Sequence, residues 1–249
     1  MRAEVTGEVR IVVAARTSRP WGRYAWAAGI VYVIALVAEI LVAASVGLSQ
    51  DDSAAKMASV LYEHRDRLLV IAYLSVVYAA AFVIYLCSLY NLLRGVATER
   101  LRILGSLVLV GGVVFVVLHA VSDIGITGLV GAKLAAFGAQ HDHGVAYTLY
   151  LMTFALESVA DVFGSLSAVA AGLLVMRSGV LPRWLGWIAI LAGILLFLQG
   201  FGLGGVIASF GLVLDLIGFV LFLIFVLVSS VILLRREDTV ANAASPLNP

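Results

Sequence analysis

Six long apolar runs dominate this chain: 27–48, 68–93, 103–121, 145–176, 184–200 and 207–234. A bilayer core of ~30 Å needs about 20 apolar residues in helical form, and each run supplies roughly that number. The apolar residues are continuous rather than alternating, so helices and not barrel strands are expected. Composition agrees, with 63% apolar and 12% charged residues, against about 45–50% and 25% in soluble domains. The expectation is an all-α integral membrane protein of six transmembrane helices. It divides into an N-terminal segment 1–26, a membrane domain 27–234 and a polar tail 235–249, read as disordered.

Basic residues orient the spans. With the N-terminus cytoplasmic, the inner side collects Arg2, Arg10, Arg16, Arg19, Arg23, Arg94, Arg100, Arg102, Arg177, Arg183, Arg235 and Arg236. The outer side holds Lys56, Arg65, Arg67 and Lys133, and this asymmetry places both termini in the cytoplasm. The first run, some 22 residues long, exceeds a secretory h-region of about 7–15, so it is read as an uncleaved span. Residues 125–140, GITGLVGAKLAAFGAQ, are too short and too polar at Lys133 to count as a seventh span. They are read as an interfacial or re-entrant helix, and 52–66 as a second outer-surface amphipathic helix. Fourteen arginines against two lysines, with abundant Ala, Gly and Val, fit a GC-rich bacterial genome, hence a bacterial cytoplasmic membrane.

Several functions are excluded or left without support. The net charge is +1 and no basic patch carries interleaved aromatics, which argues against a nucleic-acid partner. One cysteine, Cys87, forms no disulfide framework or CxxC motif. P-loop, GxSxG and HExxH motifs are absent. The lipid bilayer is the one certain partner; oligomeric state is not legible.

Acids inside the spans are the conspicuous feature. Glu39 lies in the first run, Glu157 and Asp161 in the fourth, Asp215 in the sixth. At roughly 2.5–3.5 kcal/mol each, four lipid-facing charges would cost about 10–14 kcal/mol. They are therefore expected to face inward, where burial favours the neutral acid. Helical spacing agrees: Glu157 and Asp161 share a face with Gly164, Ala168 and Gly172; Asp215 with Ala208, Gly211 and Gly218; Glu39 with Tyr32, Ala35 and Ala43. At 1.5 Å per residue, Glu39, Asp215 and Glu157 lie ~13, ~12 and ~18 Å from the outer ends of their runs, with Asp161 a turn deeper.

Three readings compete for this convergence. One is a buried hydrogen-bonded polar cluster with no ligand. Another is a binding or transport site for a proton, a cation or a small lipophilic ligand. The third is an intramembrane enzyme, a lyase, cyclase or hydrolase, using one acid to donate and another to accept a proton; an accessory subunit would need neither. No cofactor is evident. A metal set is conceivable from His119 and Asp123 on one helix face plus His141 and His143 of the following loop, but nothing in the sequence holds the loop against the helix.

Glycines recur every seven residues in the last two runs, at 186, 193 and 200 and at 204, 211 and 218. These stripes are expected to pack against each other in an antiparallel hairpin.

The stretch LLVMRSGVLPRWLGWIAILAGI, residues 173–194, joins two runs through Arg177, Ser178, Gly179, Pro182, Arg183, Trp184 and Gly186. It resembles the C-terminal half of the bacterial membrane proteins of domain-of-unknown-function family 4386. YLCSLYNLLR, residues 85–94, and the amphipathic segment before the second run are similar too, so the resemblance spans about 24–234. It implies a multi-span fold, and it carries over no activity and no catalytic residue.

Overall fold

A computed structural model describes residues 20–47, 52–96, 101–124, 143–200 and 208–244. Among them every element is helical: α1 (Pro20–Ala44), α2 (Ala54–Glu63), α3 (Arg65–Val96), α4 (Arg102–Ala120), α5 (His143–Ser178), α6 (Arg183–Gly200) and α7 (Ala208–Ala244). Stretches within α1, α3, α4, α5 and α7 are long and apolar enough to cross a bilayer; that of α6, Arg183–Gln199, has the same character over a shorter length.

The exposed surfaces explain why these helices are apolar all round. On α6 the outward positions are Trp187, Leu191, Ile194 and Leu198, and on α3 they include Tyr73, Val77 and Ile84. Apolar exposure of this extent is foreign to a water-soluble monomer and suits a lipid solvent. The chain is a multi-pass helical membrane protein.

Neighbouring long helices pack in a closed ring: α1 on α3, α3 on α4, α4 on α5, α5 on α6, α6 on α7, and α7 back on α1. Phe82 of α3 stands at the hub, its ring 4.7 Å from Tyr32, 6.0 Å from Phe115, 5.9 Å from Phe222 and 6.2 Å from Tyr85. These are ordinary edge and tilted aromatic separations.

Close approach elsewhere depends on glycine. A Cβ on Gly172 of α5 would fall 2.5 Å from the Gly186 carbonyl oxygen, and one on Gly193 2.8 Å from that of Ser165. The stripe of α6 therefore packs on α5 through Gly186 and Gly193, correcting the expectation that it would face the last helix. Gly218 meets a different side of α6, at Ala192, Leu195 and Leu196. The reason is geometric: α6 sits between two neighbours, and its thinnest face went to the longer contact with α5.

Helix α2 is the amphipathic element expected in 52–66. The Ser53 hydroxyl caps it, accepting from the Lys56 backbone N–H at 3.3 Å. Its buried residues Met57 and Ala58 lie one turn from Leu61, on one face. Met57 and Leu61 close a small core with Val46, Leu68 and Ile71, against which Tyr147 and Tyr150 of α5 also pack. The end of α1 is tied to α3 by Arg67, whose guanidinium donates to the Ser45 carbonyl at 2.6 Å. Helix α2 thus covers one end of the ring.

The turn after α5 follows its sequence. Gly179 adopts φ +66°, the left-handed geometry that ends a helix most cheaply at glycine. Arg236 of α7 donates to the Val180 carbonyl and holds this turn.

Helix α7 continues past Leu234 to Ala244, so residues 235–244 prolong a helix where a disordered tail was expected; a run already helical for seven turns adds residues at no nucleation cost. The proposed surface helix at 125–140 lies outside the described residues.

Candidate functional site

Below the α2 cap, carboxyl groups from two other parts of the bundle come within electrostatic reach of Glu39. Glu39 comes from α1, Asp123 from the turn that follows α4, and Glu157 from α5; the Glu39 carboxyl lies within electrostatic reach of both others. The α4 helix ends in a wider, π-helical turn over 121–124, a local form often found at functional positions. Its two polar residues serve different neighbours. Ser122 donates to Glu157 Oε1 at 3.1 Å. Asp123 Oδ2 accepts from the Tyr78 hydroxyl of α3 at 2.5 Å. Ser75 lies beside Asp123, its own hydroxyl donating to the Ile71 carbonyl at 2.8 Å.

Glu39 is the outlier of the group. It is 8% exposed, and among the described residues its carboxyl has no hydrogen-bond partner. A buried polar group left in that condition costs about 1–3 kcal/mol, more for a charge. The two groups within its electrostatic reach are themselves acids, so the local arrangement does not compensate it. Tyr32, two turns away on the same face of α1 and 1% exposed, likewise shows no hydrogen bond among the described residues, although Asp161 and Tyr85 lie within electrostatic reach. Asp161 itself is buried on α5, a turn from Glu157 as its spacing requires.

The four acids named from sequence therefore fare differently. Glu39 and Glu157 lie within electrostatic reach of each other, and Asp161 lies within that of Tyr32. Asp215 sits on α7, and its side chain lies outside the described residues. Asp123, noted from sequence only as a metal ligand, takes its place as the third carboxyl of the cluster.

The metal set is not assembled by what is described. His119 Nδ1 lies 3.1 Å from the Phe115 carbonyl and its ring stacks 4.5 Å from Phe115, with Asp123 in electrostatic reach. His141 and the side chain of His143 lie outside the described residues. Among the described residues no group of three His, Cys, Asp or Glu is close enough to hold one metal ion.

Tyr78 and Tyr85 are polar groups that sequence reasoning passed over, and Tyr32 was placed only as a neighbour on the Glu39 face. A signal existed: Ser75, Tyr78 and Tyr85 recur at steps of three and seven along α3, one helix face. Tyrosine is common in apolar spans, however, and only the packing shows that these hydroxyls point inward.

A ring of apolar helices with a carboxyl cluster beneath a covering helix defines a class, polytopic helical membrane proteins with a buried polar centre. Within it, the chain belongs to the family described as domain of unknown function DUF4386, whose model matches residues 27–234. Among curated proteins and solved structures, nothing matches.

Proposed function

We propose that the carboxyl cluster is a binding site for a proton or another small cation, or a small lipophilic ligand carrying such a charge, and that the protein binds or transports it. The single observation that carries this reading is Glu39, buried, without a hydrogen-bond partner among the described residues, and within electrostatic reach of Asp123 and Glu157. A group kept in so costly a position is the usual mark of function in a membrane interior. Asp161 belongs to the same inward face.

The bundle spans a bacterial cytoplasmic membrane six times, with α6 as the shortest span. Both ends are cytoplasmic, as the arginine distribution supports. In this orientation α2 covers the outer end and the cluster lies in the outer half of the bilayer.

Dicyclohexylcarbodiimide, a lipophilic reagent for neutral carboxyl groups, tests the site. It is expected to modify Glu39 in intact membranes, and small cations offered in a series are expected to protect it. Glu39→Gln should remove the labelled peptide and any gradient-driven flux in proteoliposomes. Labelling elsewhere alone, with flux unchanged by Glu39→Gln, would overturn the proposal.

A further inference from the structure

The face of α1 that carries Glu39 does not stop at the cluster. Toward the other end of the helix it presents Tyr32, Gly29 and Trp26. Opposite stand Tyr78 and Tyr85 of α3, and Ser229, Ser230 and Glu237 of α7. Tyr85 and Ser229 hydroxyls lie 2.7 Å apart. Because Ser229 also donates to the Val226 carbonyl at 3.0 Å, Tyr85 is the donor to Ser229. Gly29 lets Ser230 and the Tyr85 ring approach, since a Cβ there would fall 2.1 Å from Ser230 Oγ and 2.7 Å from the ring. At the far end, Trp26 Nε1 donates to Glu237 Oε1 at 3.2 Å.

Among the described residues Ser230 Oγ is buried without a hydrogen-bond partner, and neither the Glu39 carboxyl nor the Tyr32 hydroxyl, on residues 8% and 1% exposed, makes a hydrogen bond. They are not one pocket. Glu39 and Tyr32 are separated by ~10 Å of helix rise, and Tyr32 and Gly29, which marks the level of Ser230, by ~5 Å. No single small ligand partners all three, whereas a file of bound waters does; buried polar groups without protein partners are where such waters are found. The rings of Tyr32, Phe82 and Tyr85 are fully buried and in contact, which closes the seam to a hydrated cation.

We infer that the seam between α1, α3 and α7 is a proton path, a file of hydroxyl groups and bound waters joining the carboxyl cluster at Glu39 to Glu237. This rests on the binding site proposed above and specifies its occupant as the proton. Each oxygen in the file accepts a proton on a lone pair and releases its own to the next. One proton enters at one end and one leaves at the other, with only O–H bonds made and broken and no co-reactant.

The test uses the full chain in proteoliposomes containing pyranine, with a potassium gradient and valinomycin driving protons inward. Wild type is expected to acidify the lumen faster than empty vesicles. Tyr32→Phe and Ser230→Ala, each removing one oxygen, should slow the initial rate about tenfold, the kinetic equivalent of one lost hydrogen bond. Glu39→Gln should abolish it. If Glu39→Gln abolishes flux while both hydroxyl variants run at the wild-type rate, the path is overturned and the binding site stands. If Glu39→Gln is also without effect, or wild type conducts no better than empty vesicles, the binding site as a proton site fails with it. X-ray radiolytic labelling in H2(18)O gives a readout on unmutated protein. Incorporation at Tyr32 and Tyr85 but not at the neighbouring Phe82 supports a water file, and protection of all three overturns it.

Discussion

Tyr78 donates its phenolic proton to Asp123 Oδ2 at 2.5 Å, tying the middle of α3 to the turn that follows α4. Tyr78 is buried and Asp123 half-buried, so the bond is made where solvent competes little with either partner. Removing the donor leaves an acid without its principal partner. Tyr78→Phe is expected to destabilise the protein by about 1–3 kcal/mol, whereas Asp123→Asn, which keeps an acceptor oxygen, should cost less. Thermal unfolding in detergent measures both; equal and negligible losses would show that the bond contributes nothing.

Glu39 predicts the opposite sign. Its burial is uncompensated among the described residues, so replacing it with methionine of similar length should raise stability, by about 1–3 kcal/mol if the carboxyl's desolvation is fully relieved. The same change should eliminate binding or flux. Gain of stability with loss of function is the signature of a residue kept for activity. A lower melting temperature for Glu39→Met would mean that the carboxyl is structurally satisfied.

The glycine contacts give a paired comparison. Gly172→Ala places a methyl 2.5 Å from the Gly186 carbonyl oxygen, while Gly95→Ala meets nothing within 4 Å. Forcing α5 and α6 apart is expected to cost about 1–3 kcal/mol. Gly95→Ala should be neutral or slightly stabilising, because alanine is the better helix former. Melting temperatures of the two variants in the same detergent decide the matter.

Met57 tests the covering helix. Its side chain is 0% exposed, and Met57→Ala is expected to remove about 2–5 kcal/mol of packing. Most of that loss should be local, since α2 is short and joined to the ring through one small core. Hydrogen exchange should therefore speed up across residues 54–63 while the amides of α3 and α5 stay protected. Uniform acceleration throughout the bundle would refute independent opening of α2.

Much of this architecture was legible without coordinates, because lipid imposes a simple rule. Every backbone polar group must be satisfied within its own segment, so runs such as 68–93 and 103–121 have to be helices. The amphipathic helix at 54–63 followed from its spacing, and the inward direction of Glu39 from the small residues on its face. The turn at Gly179 was equally readable, since left-handed backbone favours glycine.

Which helices meet was not legible, and that decided the site. A helix apolar on every side gives no indication of its partner; the glycine stripe of α6 suited α5 and α7 equally by spacing, and only the ring order settled it. Asp123 looked like a terminal residue near a histidine until the wider turn at 121–124 aimed it at Tyr78. The tyrosines looked like span aromatics until packing turned their hydroxyls inward. The local chain determined the helices and turns, since these depend on neighbours in sequence. The company each acid keeps depends on contacts between residues far apart in the chain, as between Glu39 and Glu157, and only the tertiary structure decides those.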